Sequence, residues 1–214
     1  MNLPRKDEDG KSYISYSQLS LFKRDESEYY WTYIMGKRIS NEYTEFGSKV
    51  GESLEHKDFS KFSPTEQSTL KQCVRLDEFE RKVKLFYPDH GFYVLGFIDT
   101  NQADLSRIID YKTGGEGKEG QYTSGHYSQL HLYALALRQE TGITPTTAQV
   151  NFIRRNGKPH IGEPLTVADE SPLLLDIDIS MPELKRVYHD TLETAKKIEQ
   201  FYLKYKGDKL ATWN

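Results

Sequence analysis

The chain has 214 residues, of which 36% are hydrophobic, 29% charged and 13% aromatic. That length suits one domain with a buried core, and 15 tyrosines exclude a disordered chain. A net charge of -3 excludes coating of nucleic acid by bulk positive charge, and no apolar run nears the roughly 18 residues that span a bilayer, so no membrane partner is expected.

Residues 1–12 read as a polar N-terminal arm, and MNLPRKDEDGK lacks the apolar stretch of a secretory leader. Residues 15–35 read as a helix with Ser15 or Ser17 as N-cap, ended by Gly36. A second helix is expected over 46–59. A third runs from Pro64 to about Leu76, with Ser63 as cap and Pro64 at the first helical position. The period then changes. Phe79–Tyr87 and Phe92–Asp99 read as strands joined by the Pro88-Asp89-His90-Gly91 turn, and Leu105–Lys112 as a third strand. A glycine-rich loop leads to a helix near 126–140, followed by a strand at 146–154. Residues 156–180 read as loops with a short strand, and 181–206 as a long amphipathic helix. The order is that of an α/β fold with a mixed central sheet flanked by helices.

The chemistry concentrates in GFIDT (96–100) and RIIDYKT (107–113). Alternation along a strand puts Asp110 and Lys112 on one face and Tyr111 on the other. Asp99 ends the preceding strand, so Asp99 and Asp110 can converge at one end of the sheet. Two close carboxylates repel, and a hard divalent cation, Mg²⁺ or Mn²⁺, resolves the repulsion. Lys112 stands ready to position an attacking water or to stabilise charge on a phosphate. Gln129 and Tyr133 are four apart and share a helix face. The bland alternative for Asp-x-Lys, solvated charge at a strand end, is weakened by this combination. One cysteine, Cys73, excludes a disulfide framework and any four-cysteine zinc or iron–sulfur site, and sets a reducing, cytoplasmic compartment as the expectation.

Five segments in this order resemble the PD-(D/E)XK nuclease superfamily, in its RecB-like branch, which includes the CRISPR adaptation nucleases and many phage exonucleases. They are YISYSQLSLFKRDESEYYWTYIMGK (13–37), FGSKVGESLE (46–55), GFIDT, IIDYKTG (108–114) and YSQLHLYALAL (127–137). The resemblance implies a single nuclease domain over 1–214, with its core at 13–155 and a C-terminal extension at 156–214. It implies a metal-dependent DNA nuclease, an exonuclease rather than an endonuclease, working in recombination, repair or phage DNA metabolism, in bacterial cytoplasm or a phage-infected cell, and able to form a homo-oligomer. Asp99 and Asp110 would be metal ligands, Lys112 the catalytic lysine, and the main-chain carbonyl of Tyr111 a further ligand. Gln129 and Tyr133 would bind DNA or brace the site.

The chain departs from the family twice. The cysteines of the family's iron–sulfur cluster are missing, so none is expected. The family's Gly-x-x-x-His reads Gly47…Gly51 here, without the histidine. Glu55, one turn on from Gly51, is the candidate replacement ligand, with Glu52 second. Two glycines inside one helix suggest a close approach to the site or to a strand. The missing histidine also raises an alternative: a catalytically impaired DNA-binding or assembly protein that keeps the nuclease fold. Glu80 reads as a solvated edge residue or an acid beside the metal. Aromatics near the start, interleaved with Lys23, Arg24, Lys37 and Arg38, read as core packing or as base-stacking groups. His126 and His131 carry no assigned role. Seven basic and five acidic residues at 181–209, Lys209 among them, read as a solvated helix face.

Overall fold

The computed structural model describes residues 1–37, 41–123, 125 and 127–208, so Arg38, His126 and Lys209 lie outside the described residues. An eight-stranded mixed sheet carries the fold. β1 (Arg5–Lys6) and β2 (Ser12–Ser15) form an antiparallel hairpin. The arm expected over 1–12 is therefore part of the sheet. Leu3 is fully buried, and its N–H donates to Ser12 Oγ at 3.2 Å. The polar composition of the arm masked this single apolar anchor.

β3 (Glu78–Tyr87) pairs antiparallel with β4 (Phe92–Asn101) along one edge of β4, from Phe92 to Asn101 with a gap at Asp99. The turn between them is a short 3₁₀ segment, Pro88–His90, closed by Gly91 at φ 65. The other edge of β4 is shared. Its first half runs parallel to β2, from Phe92 to Leu95. Its end pairs antiparallel with β5 (Arg107–Gly114) at Thr100 and Asn101 only. Between those partners, Gly96 to Ile98 have a ladder neighbour on the β3 side alone, and Asp99 has none on either side. β6 (Thr147–Asn156) lies parallel to β5 and carries the short β7 (Thr166–Val167) and β8 (Leu173–Asp176). Residues beyond 156 thus complete the sheet rather than extend from it.

Helices cover both faces. α1 (Tyr16–Arg24) starts at a capping box between Ser15 and Gln18. The helix expected over 15–35 breaks at Asp25. The Asp25 carboxylate accepts from Glu28 N–H, so Asp25 caps α2 (Glu26–Tyr29) instead of continuing α1. A π-helical turn, Tyr30–Ile34, follows. α3 (Glu42–His56) starts at an Asn41–Thr44 capping box, four residues ahead of the expected start. α4 (Pro64–Leu70) has the expected Ser63 cap, with Pro64 in its first turn. A one-turn α5 (Gly120–Thr123) precedes α6 (Gln129–Thr141) and the 25-residue α7 (Met181–Tyr205).

Strand alternation divides the core. Val150 and Phe152 of β6 join Leu130 and Leu137 of α6 and Leu184 and Val187 of α7 in one cluster. Ile153, one residue on, joins Phe46, Val50 and Leu54 of α3 and Leu70 of α4 in the other. Each large side chain buried this way contributes about 1.5–3 kcal/mol. The sheet is thereby clamped from both sides, and the parting of β4 and β5 is held in place.

Candidate active site

Asp99 is the last residue of β4 before its pairing with β5 begins. Continuing the Thr100–Ile109 register would set Asp99 opposite Asp110. The strands part there, and the Asp99 carboxylate fills the missing ladder position: Tyr111 N–H donates to Asp99 Oδ2 at 2.6 Å. A main-chain donor that loses its strand partner must find another acceptor, and the aspartate supplies one.

The alternation read from RIIDYKT holds. Lys112 Nζ lies 2.6 Å from Asp110 Oδ2. Tyr111 points the other way, and its hydroxyl donates to the Val74 carbonyl at 2.6 Å. Asp110 is fully buried. Tyr127 Oη donates to Asp110 Oδ2 at 3.1 Å, while Asp110 Oδ1 has no protein partner. A buried carboxylate oxygen without a partner costs about 1–3 kcal/mol or more. Burial, then the Asp110 charge, pushes the Asp99 carboxyl up to about 7, against the opposing pull of Lys112 and Tyr111 N–H. Burial works against the Lys112 ammonium, but Asp110 and Asp99 together hold its pKa above the ordinary lysine value.

This donor set fits a small hard cation, with the orphaned Asp110 Oδ1 as the clearest unmet demand. Among the described residues, no three His, Cys, Asp or Glu side chains gather into a complete metal site. That is consistent with Mg²⁺ chemistry, in which one or two carboxylates suffice and water or substrate phosphate completes the shell.

A cavity of about 670 Å³ opens over the strand split, walled by α3 and by the start of β3. Glu55, Glu52, Gly47 and Gly51 all face it, with Asp99, Tyr111 and Lys112 on the far wall. Arg75 fixes the end of α3 by donating to the Leu54 carbonyl at 2.5 Å and to the Glu55 carbonyl at 2.9 Å. The close approach expected at the two glycines is absent. A Cβ at Gly51 would meet nothing within 4 Å, and one at Gly47 only Thr113 Oγ1 at 3.5 Å. The position of the missing histidine is open space.

Glu80 is exposed and lines the same cavity, so it is both solvated and beside the site. It stands opposite Asp99 in register, but that pair is missing from a ladder that is regular on both sides. Glu80 has φ 51, a left-handed conformation rare outside glycine that costs about 1–2 kcal/mol. Burial, then Glu55 and Asp110, raises its carboxyl pKa. Nothing in the residue pattern of β3 signals that backbone. Tyr127 was also missed, since a tyrosine two residues ahead of Gln129 carries no spacing signal of its own.

Gln129 and Tyr133 sit together on α6, with Gln129 Nε2 donating to Tyr133 Oη at 2.7 Å. They line a second opening, not the acid-lined cavity. Gly96 of GFIDT is explained by Tyr133, because a Cβ there would lie 2.2 Å from Tyr133 Cε1. His131 lies about 200° further round the helix than Gln129 and is buried. The opening aromatics divide between the two readings. Phe22 and Tyr29 are core, whereas Tyr13, Tyr16 and Tyr33 line the second opening. Cys73 is buried and free. No helix among the described residues is long and apolar enough to cross a membrane.

A family model for the PD-(D/E)XK nuclease superfamily matches residues 59–202, two thirds of the chain. The chain belongs to that superfamily, and its mixed sheet with flanking helices is consistent with the superfamily fold. Members generally use divalent metals such as Mg²⁺ or Mn²⁺. A solved structure described as "Crystal structure of SSO0001" is similar at 17% identity and a TM-score of 0.46, over 88% of this chain and 78% of that one. No curated protein matches the chain.

Proposed function

We propose that this chain is a metal-dependent DNA nuclease of the RecB-like branch, cutting phosphodiester bonds where β4 and β5 part. The observation that carries the reading is the buried Asp110–Lys112 pair, with Asp110 Oδ1 unpartnered beside Asp99. Asp99, Asp110 and the Tyr111 main-chain carbonyl would hold Mg²⁺ or Mn²⁺, and Glu55 and Glu80 face the same space for direct or water-mediated support. When bound there, the cation would supply charge neutralisation at the phosphate and a lowered pKa for water. Lys112 keeps its proton and offers a fixed ammonium to the charge developing on the phosphate. Tyr127 holds Asp110 in place, and the Asp99–Tyr111 bond holds Asp99 at the split.

Within this reading the enzyme is an exonuclease acting on DNA ends in recombination, repair or phage DNA metabolism. Five motifs in RecB-like order support that assignment. The test is cleavage of end-labelled linear and circular DNA with Mg²⁺, Mn²⁺ or EDTA. Metal-dependent loss of linear DNA with circles spared is expected. Cut circles would make it an endonuclease.

Gly51 favours a second reading, a DNA-binding or assembly protein with an impaired site, because nothing fills the place of the family histidine. Folded protein that binds DNA and cuts none with either metal would establish that reading instead.

A further inference from the structure

The second opening is a groove of about 790 Å³ beside the start of α1, along the β4 edge that β2 and β5 leave unpaired. It meets the acid-lined cavity at Lys112 and Thr44. Resting on the nuclease reading above, we infer that this groove holds a single, unpaired nucleic-acid strand, with Arg5 on its phosphates and the exposed ring of Phe97 against its bases.

Three observations carry this. First, charge segregates across Lys112. Among the described residues the acid-lined cavity has Lys112 as its only cation, and that cation is paired with Asp110. Among the described residues the groove has Arg5, Arg24 and Lys112 and a single acid, Glu28; Arg24 is paired with Glu28 at 2.8 Å and Lys112 with Asp110 at 2.6 Å, which leaves Arg5 as the cation without a carboxylate. A polyanion is repelled by the first space and attracted by the second. Second, Arg5 is presented for use. Its guanidinium lies 5.2 Å from the Tyr33 ring centroid, and no carboxylate pairs with it among the described residues. Third, Phe97 is 44% exposed on a strand whose neighbours Gly96 and Ile98 are buried, and it opens onto the groove together with Tyr16. An exposed aromatic beside a cationic wall is a stacking platform for bases, and only unpaired bases have free faces to offer it. A duplex, whose bases are already stacked on each other, gains nothing from Phe97.

The test is fluorescence anisotropy of a labelled 12-nucleotide thymidine strand and of a mixed-sequence duplex of equal length. Both are measured in EDTA, so that binding is read without cleavage, over a range of salt. Wild type should bind the single strand about tenfold more tightly than the duplex. Arg5→Ala should weaken single-strand binding about tenfold at low salt and reduce the log–log salt slope by about 0.7. Phe97→Ala, at an exposed position where folding is not at risk, should weaken it about fivefold and leave the slope unchanged. Equal affinity for duplex and single strand, or wild-type binding by both variants, overturns the groove. Metal-dependent cleavage by a wild type whose Arg5→Ala and Phe97→Ala variants bind normally would sink the groove and leave the nuclease reading intact. Weakened binding in both variants, from a wild type that cuts nothing, would keep the groove and sink the nuclease reading.

Discussion

The cavity beneath α3 and the groove beside α1 share Lys112 and Thr44 but differ in every other respect. One gathers Asp99, Glu52, Glu55 and Glu80. The other gathers arginines, serine hydroxyls and aromatic rings. Both exist because β4 changes partner midway along one edge. A fully paired β4 would close the groove and return Tyr111 N–H to the ladder. The difference teaches that the backbone split does the sorting: acidic side chains collect on one side of Lys112, and arginines and aromatic rings on the other.

Removing the acid side should have the largest effect. Asp110→Asn should lower metal-dependent cleavage about a thousandfold, while circular dichroism remains that of the folded chain. Retained activity would mean that the two spaces do not cooperate in cleavage. Next comes the residue they share. Lys112→Met should cost about a hundredfold in cleavage. It should also destabilise the metal-free protein by about 2–3 kcal/mol, because it strands the buried Asp110 carboxylate. Mn²⁺ should restore part of that loss, read as a rise in Tm.

The acid side should also be visible in the pH dependence of stability. The Asp99 carboxyl is held near 7 in the fold, against 3.8 for a free aspartate side chain. The folded state therefore keeps a proton that the unfolded chain has lost between those values. This contribution is complete below about pH 4 and disappears as pH rises through 7, with an upper bound of about 4 kcal/mol. In EDTA, wild type should lose stability from pH 5 to pH 8 relative to Asp99→Asn. A parallel response of the two proteins would contradict the assigned environment of Asp99.

On the groove side, Gly96→Ala should cost about 1–3 kcal/mol and displace Tyr133, seen as changed tyrosine packing in near-UV circular dichroism. The smallest effect is a gain. Gly51→His enters open space, and calorimetry should show Mn²⁺ binding tightened severalfold with no loss of Tm.

Where local chemistry decides structure, it was legible in the residues. Ser63-Pro64 starts a helix, Pro88 to Gly91 turns a hairpin, and alternation pairs Asp110 with Lys112. Where tertiary contacts decide, it was not. Leu3 draws a polar arm into the sheet by burying its side chain in the core, whereas the break at Asp25 is a local cap on Glu28 N–H that the continuous helical pattern hid. Gly51 reads as a close approach and turns out to face a cavity. The left-handed backbone of Glu80 depends on where its partner strand loses register, which no pattern within β3 records.

The most direct test of the central claim is a calorimetric titration of metal-free protein with Mn²⁺ at pH 8, wild type beside Asp99→Asn. The account predicts saturable binding by wild type and its loss in the variant, with both proteins folded. Equal binding by the two would contradict a metal site at the strand split.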